Sequence, residues 1–262
     1  MKKSRSRDGT LIAYELSGSG PTVILVDGAL CSRRLGPMSA LVPLLARTFT
    51  VFTYDRRGRN ESGDTKPYSP QGEVEDLEAI IMAAGGAAMV FGMSSGAALA
   101  ISAVNAGLNI SKLALYEPPF FVDRSAKNLT PEHLKTIKRL IEADQRSEAV
   151  RYFQVEAVGI PSLVSWILRL TPMWKKLKAV APTLIYDLTL LDDGLVPVDA
   201  ISRITIPTAV FYGEKSPRFL IDSVHAVAQA LSNGKEIPLA GQNHNFSAKA
   251  VAPPLEAFFF TT

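Results

Sequence analysis

Two serines lie between two glycines in Gly92-Met93-Ser94-Ser95-Gly96, after the apolar run AAMVF and before the small-residue segment AALAISAVNAG. That setting makes the stretch a strand-to-helix turn. A serine on such a turn is held clear of its own backbone, and residues two before and two after it must be small because neighbouring chain passes close by. Gly92 and Gly96 supply the clearance, which makes Ser94 the candidate nucleophile. The first N–H groups of the following helix point towards whatever sits beside Ser94, so the Ser95 N–H is placed to stabilise a developing oxyanion. The competing reading is a plain Gly/Ser turn, which five residues alone would often allow.

Serine attacks well only when a base takes its proton, and in sites of this type the base is a histidine later in the chain. His133, in PEHLKTIKRL, and His225, in DSVHAVAQAL, fall inside helical patterns, where a packed or solvated histidine is the ordinary expectation. His244, in LAGQNHNF, follows the last strand candidate in a loop containing Gly and Asn, and is the candidate base.

The elements that must position these residues are short apolar runs alternating with segments of helical period, the pattern of a mostly parallel α/β sheet covered on both faces. The strand candidates are LIAYEL, TVILVDG, FTVFTYD, AAMVFG, KLALYE, TAVFYG and KEIPLA; SALVPLLART, GEVEDLEAIIMAAG and SGAALAISAVNAG are the helices between them. After Phe120 the alternation stops. Residues 121–200 read as helices, among them PEHLKTIKRLIEAD and SEAVRYFQVEAVG, and predict a helical insertion over the sheet edge where such folds bind ligands. The expected organisation is a discontinuous core, residues 1–120 and 201–262, with a cap of residues 121–200.

With the GMSSG turn, the VDGAL loop at 26–30, the YDRRGRNESG segment at 54–63 and the GQNH histidine, the chain resembles the α/β-hydrolase superfamily, in the branch with a helical cap between strands six and seven. The resemblance covers nearly the whole chain. It implies acyl transfer through an acyl-enzyme, with the Ala29 N–H as second oxyanion donor. Two departures stand out. Relatives usually carry His-Gly where this chain has Asp27-Gly28, which sets a carboxyl near developing negative charge. They also commonly have an aspartate three residues past the glycine ending strand seven, and here Gly213-Glu214-Lys215-Ser216 puts a serine there. A variation within the superfamily moves the acid to the end of strand six, where KLALYEPPF offers Glu117. Glu117 is taken ahead of Glu214, and of Asp187 or Asp193 near the end of the cap. Its competing reading is a strand-end carboxylate capped by solvent or by nearby N–H groups.

Other features read as structural. Asp55, Arg56 and Arg57 predict a turn braced by arginine hydrogen bonds rather than an anion clamp. Cys31 reads as a small, partly buried hydrophobe. Trp166, Met173 and Trp174 predict cap packing more than substrate contact, and the apolar cap favours a substrate with an apolar acyl or alcohol group. MKKSRSR predicts a frayed, solvated end.

Composition narrows the function classes. An apolar fraction of 47% against 20% charged residues is that of a globular chain, and a net charge of +3 with its cations dispersed predicts neither nucleic-acid nor membrane partners. One cysteine excludes an internal disulfide, no secretory signal opens the chain, and no apolar run reaches the roughly 18 residues of a membrane span, so a cytoplasmic protein is expected. Histidines far apart and the lack of a phosphate-binding glycine motif predict no metal and no cofactor. The residues therefore predict a serine hydrolase acting on a small carboxylic ester or related acyl compound. Carbon–carbon hydrolysis, lactone opening, lyase chemistry and non-catalytic ligand binding are the alternatives, since fold does not choose among them. Oligomeric state leaves no trace in the pattern.

Overall fold

Eight strands form one sheet: β1 Lys2–Arg5, β2 Leu11–Ser17, β3 Thr22–Val26, β4 Thr50–Tyr54, β5 Ala88–Met93, β6 Ile110–Tyr116, β7 Thr208–Gly213 and β8 Gly234–Leu239. The computed structural model describes residues 1–123 and 130–261. Strand order is β1-β2-β4-β3-β5-β6-β7-β8, with the β1–β2 and β2–β4 pairs antiparallel and the remaining pairs parallel. β5 is buried at every position, as expected of a strand covered on both faces.

Eleven α-helices are described: α1 Pro37–Leu45, α2 Pro70–Ala83, α3 Ser95–Asn105, α4 Thr130–Glu142, α5 Arg146–Tyr152, α6 Ser162–Arg169, α7 Pro172–Val180, α8 Leu184–Leu190, α9 Val198–Ser202, α10 Arg218–Ala230 and α11 Ala248–Phe260. Side chains of α2, α3, α9 and α10 pack one sheet face around Ile24, Val90 and Leu115. Those of α1 and α11 pack the other around Leu25, Phe91 and Phe211. The seven anticipated strands all form. MKKSRSR departs from expectation: Lys2–Arg5 pairs with Leu11–Tyr14 as an edge strand instead of fraying. Lysine and arginine on an outermost strand discourage further pairing, which is why so polar a segment can serve there.

Between β6 and β7 the chain is helical among the described residues. A parallel bridge between Phe121 and Leu195 joins the two ends of this stretch, with Phe121 N donating to Gly194 O at 2.8 Å and Val196 N to Phe121 O at 3.0 Å. The helices bury an apolar cluster of their own, including Ile137, Val150, Trp174, Leu177 and Leu184, and Leu30 of the core reaches into it. Trp174 lies inside this cluster with its indole N–H on Ser147 Oγ at 3.0 Å, whereas Trp166 and Met173 face outward.

Charge fastens these helices to the sheet. Arg56 grips Glu73 of α2 through Nε and Nη2 at 2.6 and 2.7 Å and reaches Asp187 of α8 through Nη1 at 2.7 Å. Arg59 holds both Asp187 oxygens at 2.8 Å. All four side chains are buried, two positive against two negative. Burial alone would raise the Asp187 carboxyl, but Arg59 and Arg56, with the Ser95 hydroxyl, outweigh it and hold the group below the usual carboxylate range.

Asp187→Asn leaves excess positive charge in the interior, an expected cost of about 3–5 kcal/mol. Because the folded carboxyl titrates below its unfolded value, its stabilisation is present above the unfolded value of about 4 and is lost as pH falls through the folded one. Urea midpoints of wild type and Asp187→Asn should therefore differ most at neutral pH and converge in acid. A difference that stays constant down the pH scale would contradict this account.

Candidate active site

Ser94 sits at the tip of the β5–α3 turn with φ 54° and ψ −126°, a conformation L-residues avoid. The turn is possible because its flanks are bare. A Cβ on Gly92 would meet Gly96 O at 2.5 Å, and one on Gly96 would meet Val26 O at 2.2 Å, so larger residues at either position collide with backbone. Gly28, from the loop after neighbouring β3, passes close enough that its Cβ would lie 2.9 Å from Ser94 Cβ. Of the non-glycine residues with positive φ, Leu30, Ser94 and Glu117 border this one region. Such strain costs of order 1–3 kcal/mol per residue and clusters where function over-determines the backbone.

The loop carrying Ala29 is held from behind. Arg59 Nη1 donates to Gly28 O at 2.6 Å and to Cys31 O at 3.0 Å, and Arg56 Nη1 reaches Asp27 O at 3.3 Å. In a trans peptide the C=O and N–H point in opposite directions, so anchoring the Gly28 carbonyl orients the Ala29 N–H. Ser95 is tied to the same cluster, its Oγ donating to Asp187 Oδ1 at 2.6 Å. Ser95 also begins α3, where first-turn N–H groups lack intrahelical partners. The sequence pattern gave Arg56 a structural role; the structure adds Arg59 and Asp187, whose partners lie up to 131 residues apart.

Asp27 is buried, its Oδ1 without a hydrogen-bond partner among the described residues. Burial pushes its carboxyl well above the usual carboxylate range, against the pull of Arg59 and Arg56. Burial likewise pushes the Cys31 thiol up to about 12, which leaves no thiolate for nucleophilic chemistry at neutral pH.

Glu117 follows β6 with φ 45° and is fully buried. Its Oε2 lies 2.6 Å from His244 Nδ1. Its Oε1 accepts from Gly213 N at 2.7 Å and from Ser216 Oγ at 2.5 Å, so the serine in place of the family's usual aspartate donates to the glutamate. His244 reaches Glu117 from the loop after β8, across the end of β7. Gly213 permits the crossing: a Cβ there would meet Gln242 C at 2.4 Å. Tyr116 Oη donates to Asn243 O at 2.6 Å and pins the loop beside the histidine. Of the other carboxylates considered, Asp187 is engaged by arginines and Ser95, and Glu214 is exposed.

Ser94, Ser95, Ala29 and His244 line one cavity of about 60 Å³, roofed by residues of the helical stretch between β6 and β7. One water needs about 10–15 Å³, so a compact group fits. Phe121, Phe153, Val158, Leu188, Leu191 and Phe219 make its walls apolar. His133 also borders it, a placement its helical sequence pattern did not disclose. His225 instead lies at the surface on Glu236, with Nδ1 to Oε2 at 2.9 Å. A larger groove of about 830 Å³, between α3, α9 and the end of α8, contains neither Ser94 nor His244. No cluster of His, Cys, Asp or Glu able to hold a metal occurs among the described residues, and none of the described helices is long and apolar enough to cross a membrane.

The alpha/beta hydrolase family model matches residues 17–253. An uncharacterized hydrolase of Bacillus subtilis (strain 168) is 28% identical over 161 residues, 54% of this chain; the match spans 58% of that relative's length. The crystal structure of an alpha/beta hydrolase from Sphaerobacter thermophilus is 44% identical and superposes with a TM-score of 0.93, covering 98% of this chain and 100% of the other. An esterase from Exiguobacterium antarcticum shares the fold at 17% identity, with a TM-score of 0.77 and 99% of each chain covered. By its matched sequence and its sheet, this chain belongs to the α/β-hydrolase family.

Proposed function

We propose that the protein is a serine hydrolase of small carboxylic esters, with Ser94 as nucleophile, His244 as base, Glu117 as the acid that orients it, and the Ala29 and Ser95 N–H groups as the oxyanion hole. The observation that carries this reading is the 2.6 Å contact between Glu117 and His244, a histidine that lines the same cavity as Ser94. A buried carboxylate on Nδ1 fixes the ring's tautomer, leaves Nε2 free to accept a proton, and stabilises the imidazolium that forms.

The steps follow from those roles. Ser94 Oγ attacks the ester carbonyl carbon while His244 Nε2 takes the serine proton. The carbonyl oxygen becomes an oxyanion facing the two backbone donors. The tetrahedral species collapses as His244 returns its proton to the departing alkoxide, which leaves an acyl-serine and an alcohol. Water, deprotonated by His244, then attacks the acyl carbon, and Ser94 regains its proton as the carboxylic acid departs. The strain at Ser94 supports this reading, because the turn holds the hydroxyl in position before substrate arrives. The helices between β6 and β7 act as a lid that limits the acyl group to small, apolar shapes.

Hydrolysis of short p-nitrophenyl esters tests the assignment. Ser94→Ala and His244→Ala should each lose kcat almost completely, and Glu117→Gln should lose about 10⁴-fold, the scale of an acid-to-amide change in such a triad. Full activity in Ser94→Ala would refute the proposal. Ser216→Asp sets a second carboxylate against Glu117, so the pair should share a proton and support His244 less well. A fall in kcat of about tenfold or more is expected, since one unit of pKa is a factor of ten in the balance of charged and neutral forms. Unchanged kcat would show that the Ser216–Glu117 contact is irrelevant to turnover.

A further inference from the structure

The cavity over Ser94 and the larger groove beside it are neighbours, because three elements pass from one to the other within a few residues. On α3, Ser95 borders the cavity while Ala98, Ile101 and Ser102 border the groove. At roughly 1.5 Å of rise per residue, Ala98 lies only about 4.5 Å along the helix axis from Ser95. After β6, Phe120 borders the groove and Phe121 the cavity. At the end of α8, Leu188 borders the cavity, Leu190 the groove, and Leu191 both. Among the described residues, Leu191 alone borders both hollows.

Two of these crossings are fixed by backbone. α3 is a continuous helix, and the chain at Phe121 is tied to Leu195 by the parallel bridge. The third crossing is closed by a side chain. Leu191 caps α8 in helical conformation, is partly buried, and packs on the apolar cluster that contains Ala98, Ile101 and Phe120. Beyond it the chain turns away sharply, with φ 53° at Asp192 and 83° at Gly194. The leucine therefore stands over the first turns of α3, where the cavity would otherwise run on into the groove. The cavity holds about 60 Å³ and the groove about 830 Å³, so whatever divides them sets how long an acyl chain can be.

We propose that Leu191 is a specificity-determining residue: its side chain is the partition that ends the acyl cavity and confines the protein to esters of short acyl chains. This rests on Ser94 being the nucleophile, since the acyl carbonyl must lie against that residue for the chain to run towards the end of α8. Cutting the side chain back to a methyl group joins the cavity to the groove. A longer chain then lies over Ala98 and Ile101 with its end in the groove. Each methylene moved from water to an apolar site is worth a factor of about four, so four of them are worth on the order of 100-fold. The exposed Asp192 and Asp199 at the groove leave part of it open to water, so the expected gain is about 10- to 100-fold.

The test measures kcat/KM for p-nitrophenyl acetate, butyrate, hexanoate and octanoate in wild type, in Leu191→Ala and in the double variant Leu191→Ala/Ser102→Trp. Labelling of Ser94 by a fluorophosphonate is followed in parallel. In the wild type, kcat/KM should fall beyond butyrate. The octanoate-to-butyrate ratio should rise about 10- to 100-fold in Leu191→Ala and return towards the wild-type value when Ser102→Trp fills the groove. A merely structural loss would lower kcat/KM for both esters and leave their ratio alone. An unchanged ratio in Leu191→Ala overturns the proposal, as does a ratio that stays high with the groove filled. A wild type that takes octanoate as readily as butyrate also overturns it, so the proposal remains refutable if Leu191→Ala does not fold. Labelling and hydrolysis with no chain-length limit would reject the partition alone; no labelling and no hydrolysis of any ester would reject the Ser94 reading and this one together.

Discussion

The carboxylate of Asp187, held between two buried arginines, fixes how the pieces around the cavity meet. It comes from α8, beyond the end of β6, while Arg56 and Arg59 follow β4 and Ser95 begins α3. The same arginines hold the carbonyls of Asp27, Gly28 and Cys31 after β3. Four segments remote in sequence are thus joined by one set of charges. Such a cluster need not add much net stability, because desolvating four ions offsets most of their attraction. Its effect is geometric: the charges are all matched only when the turn after β4, α2 and α8 are in place together, and the neutral groups of the other segments are hydrogen-bonded to the same side chains. The peptide planes that bear the proposed oxyanion donors are therefore set by the same contacts that dock the helices over them.

The other half of the site depends on a crossing. β7 lies between β6, which ends at Glu117, and β8, which leads to His244. For a glutamate on one side to meet a histidine from the other, the loop after β8 must pass over the end of β7, and the lack of a side chain at Gly213 lets it do so. Ser216 and the Gly213 N–H then fill the second oxygen of Glu117. A serine at the position where relatives commonly carry the acid fits this arrangement, since two adjacent carboxylates would compete for one proton.

Much of the fold was legible in the sequence because its signals are local. β3 and β5 are unbroken apolar runs, and the glycines around Ser94 mark a turn whose bare flanks leave few alternatives. β1 was not legible, because four polar residues carry no strand period. Nor was α11, whose Pro253 and Pro254 argue against a helix until packing on β8 and α1 decides the matter. Within the site, the chain order of Ser94, Glu117 and His244 could be read directly. That the carboxylate touches the histidine could not, because it depends on how far one loop crosses a strand. Arg59 and His133 were also beyond pattern reading. An arginine in a polar turn and a histidine in a helix look alike whether they meet solvent, a carbonyl or a cavity, and only the partners brought in from distant segments separate these cases.

The central claim is that Ser94 is an activated nucleophile, and the most direct test is covalent. The folded protein is treated with a fluorophosphonate, its intact mass is measured, and the modified peptide is sequenced. The account predicts a single adduct on Ser94, formed slowly in His244→Ala and absent from Ser94→Ala. A folded wild type that takes up no probe, or takes it up on another residue, would contradict it.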